Sequence, residues 1–182
     1  MKYLLILVLA TLTIGCSKID VMQYAENKPE FDIFSYFEGE TTGWGIVQSR
    51  SGKLLRQFVV TIDGTLSDED TMVLEEDFVW SDGAPSKRIW TIKRINASTY
   101  EGTADDVIGS AVGVSSGNAL NWRYNLEVET ENSTWKIFFD DWMFLQPNQV
   151  LLNKASMSKF GIHLGEITIA FTKEKTWTGS KI

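Results

Sequence analysis

From Phe31 onward the chain is dominated by short runs in which apolar and polar residues alternate with period two. Clear cases are 55–62 (Leu55-Arg56-Gln57-Phe58-Val59-Val60-Thr61-Ile62), 87–95 around Ile89-Trp90-Thr91-Ile92, 121–128 around Trp122-Arg123-Tyr124 and 166–171. That spacing is the mark of strands with one dry face and one wet face. Turn chemistry recurs between the runs, at Asp63-Gly64, Ser81-Asp82-Gly83, Asn96-Ala97-Ser98, Ser116-Gly117-Asn118, Glu131-Asn132-Ser133 and Gln146-Pro147-Asn148. The pattern predicts about nine or ten strands, near 43–49, 54–63, 70–80, 87–95, 98–107, 110–115, 119–129, 134–140, 149–157 and 164–173. So many strands joined by short turns must either close into a barrel or split into a sandwich to protect their edges, and a meander without long crossovers favours an antiparallel up-and-down β-barrel. The expected fold class is all-β.

The first residues follow a different rule. Met1-Lys2 gives a positive start, residues 4–12 form an apolar run too short to span a bilayer, and Gly15 stands directly before Cys16. This arrangement resembles a bacterial lipobox, in which the thiol is acylated and the leader is cut just before it. The implied organisation is a signal peptide over 1–15, a lipidated Cys16 and polar tether over 16–30, and one barrel domain over 31–182. Cys16 is the sole cysteine of the chain, and acylation removes the liability of a lone thiol in an oxidising compartment. Ser17 follows it, which by the same resemblance implies the outer membrane of a Gram-negative cell, facing the periplasm.

Composition narrows the function classes. Lys+Arg 17 against Asp+Glu 24 leaves a formal charge of −7, which provides no basic surface for phosphates and excludes nucleic acid as a partner. One cysteine and one histidine cannot build a zinc site, and no metal or cofactor is expected. Nor is the barrel an outer-membrane pore, because charged residues such as Arg56, Lys93, Glu127 and Lys136 alternate with large aromatics along the strands. Seven Trp, ten Phe and five Tyr belong instead to the interior, where they either fill a core or line a cavity.

Two resemblances add to this reading. Residues 31–39 (Phe31-Asp32-Ile33-Phe34-Ser35-Tyr36-Phe37-Glu38-Gly39), followed by Gly43-Trp44-Gly45, resemble the opening of a lipocalin-type barrel, where a short apolar turn closes one end and a Trp begins the first strand. The segments Gly52-Lys53-Leu54-Leu55-Arg56-Gln57-Phe58, 76–83, Arg88-Ile89-Trp90, Gly117-Asn118-Ala119, Asp140-Asp141-Trp142-Met143 and 153–161 resemble domain-of-unknown-function family 3833. That resemblance implies a bacterial lipoprotein with a lipocalin-like barrel and carries no catalytic residue.

The candidate site residues are few. Asp140 and Asp141 are adjacent at the end of an apolar run, so they point to opposite faces if the strand continues. A carboxylate turned inward needs a partner, and Arg88, Arg123, Lys154 and Lys159 are the candidates. The residues expected to meet a ligand are Arg88, Trp90, Trp122, Arg123, Tyr124 and Asp140. The acidic runs Glu75-Glu76-Asp77 and Asp105-Asp106 lack the spacing of a calcium loop and read as solvated strand faces. His163 reads as a turn or rim residue, and no Gly-x-Ser-x-Gly accompanies it. Two functions fit: a carrier whose barrel takes a fatty acid or other lipid-like molecule, and a structural or interaction lipoprotein whose barrel is filled by its own side chains. The sequence names no protein partner and no enzymatic reaction.

Overall fold

The computed structural model describes residues 19–130 and 133–173. Cys16 and the leader lie outside them. A short helix α1 (Ile33–Phe37) is followed by ten strands: β1 (Gly39–Ser49), β2 (Leu54–Asp68), β3 (Thr71–Trp80), β4 (Pro85–Asn96), β5 (Thr99–Thr103), β6 (Ala111–Ser116), β7 (Ala119–Thr130), β8 (Ser133–Leu145), β9 (Leu151–Lys159) and β10 (Ile162–Thr172). Each strand pairs antiparallel with its chain neighbours, and β1 also pairs with β10, so the sheet closes on itself. The all-β up-and-down barrel expected from the alternation is the observed fold, with ten strands.

Two strand limits differ from expectation in a way that matters for the interior. β8 continues to Leu145, beyond the expected 140, because its ladder to β7 and β9 stays in register to the end. β5 stops at Thr103, and residues 104–110 turn back over the wall, where Glu127 N–H donates to Asp106 O at 2.9 Å.

One end of the barrel is stoppered by α1. Five residues are too few to sustain a helix alone, so capping and burial hold it. The Asp32 carboxylate accepts from Ser35 N at 2.8 Å and Ser35 Oγ at 3.0 Å. Ile33, Phe34, Tyr36 and Phe37 are all buried. The same Asp32 accepts from Arg94 Nη1 of β4 at 2.8 Å and from Tyr100 OH of β5 at 3.0 Å, which ties the plug to the wall. Gly64 lets β2 approach the end of the helix, since a Cβ there would lie 1.9 Å from Phe37 O. Core aromatics such as Tyr100 and Phe171 pack against the plug.

Part of the polar stretch expected to act as a tether over 16–30 packs against the barrel wall. Val21–Tyr24 forms a 3₁₀ turn with Val21 buried, Tyr24 meets Trp142 and Phe144 edge-on, and Phe31 N–H donates to Gly117 O at 2.8 Å. Val21 and Tyr24 alone are too short an apolar signal to register as a period, which is why the sequence alone reads the stretch as loose. Trp44 and Trp135 are likewise not interior residues. Trp44 stands partly exposed on the outer wall, because Gly43 and Gly45 take the inward positions around it, where Phe171 and Phe58 fill the space, whereas Trp135 shares the inward phase of Ile137 and Phe139 but precedes the buried part of β8 and is exposed beneath Lys159.

Candidate functional site

Between the plug and the far end, the interior is hollow. A cavity of about 300 Å³ extends from Ile33 and Phe37 of the plug to Phe78 and Trp80 near the far turns. Its size falls within the range of small-molecule sites. Most of the wall is apolar, with aromatic contacts setting its shape. Trp90 meets Trp122 at 5.8 Å and Tyr124 at 5.4 Å, both edge-on, and Tyr124 stacks on Phe139 at 5.1 Å. Trp122 lies flat against the sheet because Gly102 and Gly113 have no Cβ, and one added at either would sit within 2.5 Å of the indole.

A polar patch interrupts this wall. Period two places Glu76 of β3 opposite Arg88 of β4, and it places Asp141 of β8 opposite Trp122 of β7, all facing inward. Arg88 donates through Nε and Nη2 to Asp106 Oδ2, at 3.1 and 2.6 Å. Tyr124 OH donates to Asp141 Oδ2 at 2.8 Å, and Asn153 Nδ2 donates to Asp141 Oδ1 at 3.4 Å. Glu76 accepts no hydrogen bond from the described residues, and Asp106 Oδ1 is buried without a partner. The patch therefore holds three carboxylates against one guanidinium.

Burial governs how these groups titrate. It pushes Glu76 up to about 7; Arg88 opposes the shift, while Asp106 and Asp141 add to it. Part of the surface of Glu76 stays open to the cavity, and protein encloses it otherwise. Asp141, at 6% exposure, is raised by burial to about 6 although Tyr124 and Asn153 hydrogen-bond to it. Burial also pushes the Tyr124 hydroxyl well above its ordinary range, with the Asp141 charge adding to the effect. Arg88 stays charged, because Glu76 and Asp106 outweigh the cost of its burial.

Of the six residues expected to meet a ligand, Arg88, Trp90, Trp122 and Tyr124 line the cavity. Arg123 and Asp140 do not. They form an ion pair on the outer wall, Nε to Oδ1 at 3.1 Å, with Asn121 donating to the same oxygen at 2.7 Å. The correction is one residue along each strand: Arg123 lies between the inward Trp122 and Tyr124, so alternation turns it out, and because β8 does not end at Asp140, alternation turns Asp141 inward. Glu76 and Asp106 were expected to be solvated and are part of the patch. Their neighbours Glu75 and Asp77 do face out, where both pair with Lys87. Periodicity could have found Glu76, which is in phase with Met72 and Leu74. Asp106 lies outside any strand, and no local signal marks it. His163 is exposed at the start of β10, with Nδ1 at 3.3 Å from Ser156 Oγ.

Fold and site together define a ten-stranded up-and-down barrel with a ligand-sized, mostly apolar interior. The chain belongs to the family described as "Protein of unknown function (DUF3833)", which matches over residues 10–173. No curated protein matches it. Among solved structures it is similar to one described as "Structure of EF1p2_mFAP2b bound to DFHBI", with 10% identity, a TM-score of 0.41, and coverage of 84% of this chain and 99% of that one.

Proposed function

We propose that this protein is an outer-membrane lipoprotein, anchored through acylated Cys16 and facing the periplasm, whose barrel carries a small apolar or amphipathic, lipid-like molecule. The observation that carries this reading is the unfilled, aromatic-lined cavity. A barrel that served only as a scaffold gains nothing from leaving such a space, since each void forfeits packing. The anchor supports it from the sequence side. Cys16 precedes Val21, the first buried residue of the described chain, by about 18 Å of fully extended chain at most, so acyl chains there would hold the barrel beside the bilayer that stores such ligands.

Two measurements test the proposal separately. Native mass spectrometry of the purified protein, with organic extraction, should reveal a co-purifying apolar molecule. A repeatedly empty barrel would favour the scaffold function instead. For the anchor, Cys16→Ser should leave the precursor uncleaved and lost from the outer-membrane fraction. If that variant is processed and fractionates as the original does, the anchor is refuted and the carrier reading stands on the cavity alone.

A further inference from the structure

The balance of charge inside the barrel says what kind of head group it accepts. A fatty acid is the simplest lipid-like ligand, and its carboxylate would look for Arg88. That guanidinium is already engaged through Nε and Nη2 by Asp106. A ligand carboxylate would have to displace Asp106 and leave it buried and unpaired, or else enter beside three protein carboxylates with no cation of its own. Both routes cost several kcal/mol in a poorly solvated site.

A head group of opposite sign meets the reverse situation. Glu76 points into the cavity with no hydrogen-bond donor, and Asp106 Oδ1 is a buried acceptor with no partner. The other cation of the lining, Lys87, turns its ammonium away to Glu75 and Asp77. Among the described residues, no group of three or more His, Cys, Asp or Glu is placed to hold a metal ion, so the arrangement suits an organic cation at the end of an apolar body.

We propose that the patch of Glu76, Asp106 and Asp141 around Arg88 selects an amphipathic ligand whose head is a positively charged amine, with a neutral hydroxyl as the weaker substitute and a carboxylate rejected. This rests on the carrier reading above and narrows it. The groups facing Glu76 are Arg88 from β4, Asp106 from the 104–110 turn, Tyr124 from β7 and Asp141 from β8. Burial raises the Glu76 carboxyl to about 7, so amine binding should strengthen as pH rises through neutrality and the carboxylate ionises.

The test is a titration of the purified full chain with decylamine, decanol and decanoate, each below its self-association concentration. Binding is read by tryptophan fluorescence, because Trp80, Trp90 and Trp122 line the cavity. At about pH 8 decylamine should bind at least about ten-fold more tightly than decanoate, with decanol between them. Glu76→Gln should lower the decylamine affinity toward that of decanol and leave decanol unchanged. Asp106→Asn provides a second variant with the same expectation, and Asp140→Asn on the outer wall should change nothing. Decanol bound but decanoate equal to or tighter than decylamine overturns the head-group assignment and leaves the carrier reading intact. An amine preference that survives both Glu76→Gln and Asp106→Asn also overturns it. If none of the three probes binds, the carrier reading fails and this inference falls with it.

Discussion

Asp32→Ala should release the plug and lower stability by about 2–4 kcal/mol, an effect at the high end for a single polar side chain. Four donors converge on this carboxylate: Ser35 N, Ser35 Oγ, Arg94 Nη1 and Tyr100 OH. Removing it strips the N-cap from a helix too short to persist without one, and it leaves the Arg94 guanidinium, which also stacks over Phe34 at 4.5 Å, without its anion. Burial alone would raise the Asp32 carboxyl; the bonds from Arg94, Ser35 and Tyr100 reverse that and hold it at about 2. Because the folded value lies below the ordinary one, the stability it contributes is present above about pH 4 and is lost as pH falls toward 2. Asp32→Asn should fall between the original and Asp32→Ala, since it keeps an acceptor and loses the charge. Urea unfolding of the three proteins at neutral pH checks the order. Equal midpoints for Asp32→Ala and the original would mean that apolar packing alone seats the plug.

How much of this molecule was legible in its sequence follows from what each feature depends on. Strand positions depend on alternation and turns, both local, and the ten strands lie where the pattern put them. The assignment of faces depends on phase, and phase is reliable only where a strand is known to continue. That is why Trp90, Trp122 and Tyr124, in the middle of long ladders, were placed correctly, whereas the Asp140-Asp141 pair was assigned the wrong way round. Asp141 is inward because β8 runs on to Leu145, which is decided by pairing with β9 and not by residues near position 141. Asp106 is beyond reach of any such argument, since its place beside Arg88 is made by the return of a loop. Trp44 shows the opposite limit. A large aromatic invites an interior assignment on size, yet Gly43 and Gly45 beside it are the inward residues, making room for Phe171 and Phe58. The consequence for function is direct. The apolar lining could be anticipated, and Glu76 with it from its phase with Met72 and Leu74, but the full acidic excess that distinguishes one head group from another could not, because Asp106 is brought to the patch by a loop.

Raising the pH from about 5 to 8 should destabilise the protein, and Glu76→Gln should remove most of that loss. The sign follows from the direction of the shift. Burial holds the Glu76 carboxyl at about 7 against an ordinary 4.5, so the unfolded chain releases its proton first. The advantage of the protonated form is complete below about pH 4.5 and is lost as pH rises through 7. Asp141 acts in the same direction with a midpoint near 6. The full Glu76 shift corresponds to about 3 kcal/mol, and contact with the open cavity screens part of it, leaving about 2. For a domain of this size that is roughly 4–8 °C in Tm. Glu76→Gln carries no charge to desolvate, so it should melt higher than the original at pH 8 and level with it at pH 4. Together with the acid-side loss at Asp32, the original should show greatest thermal stability between about pH 4 and 5. Melting curves across that range decide the matter: a Tm that does not fall between pH 5 and 8, or a Glu76→Gln protein that falls just as steeply, would show that the Glu76 carboxylate ionises without cost and that the interior is far wetter than its lining implies.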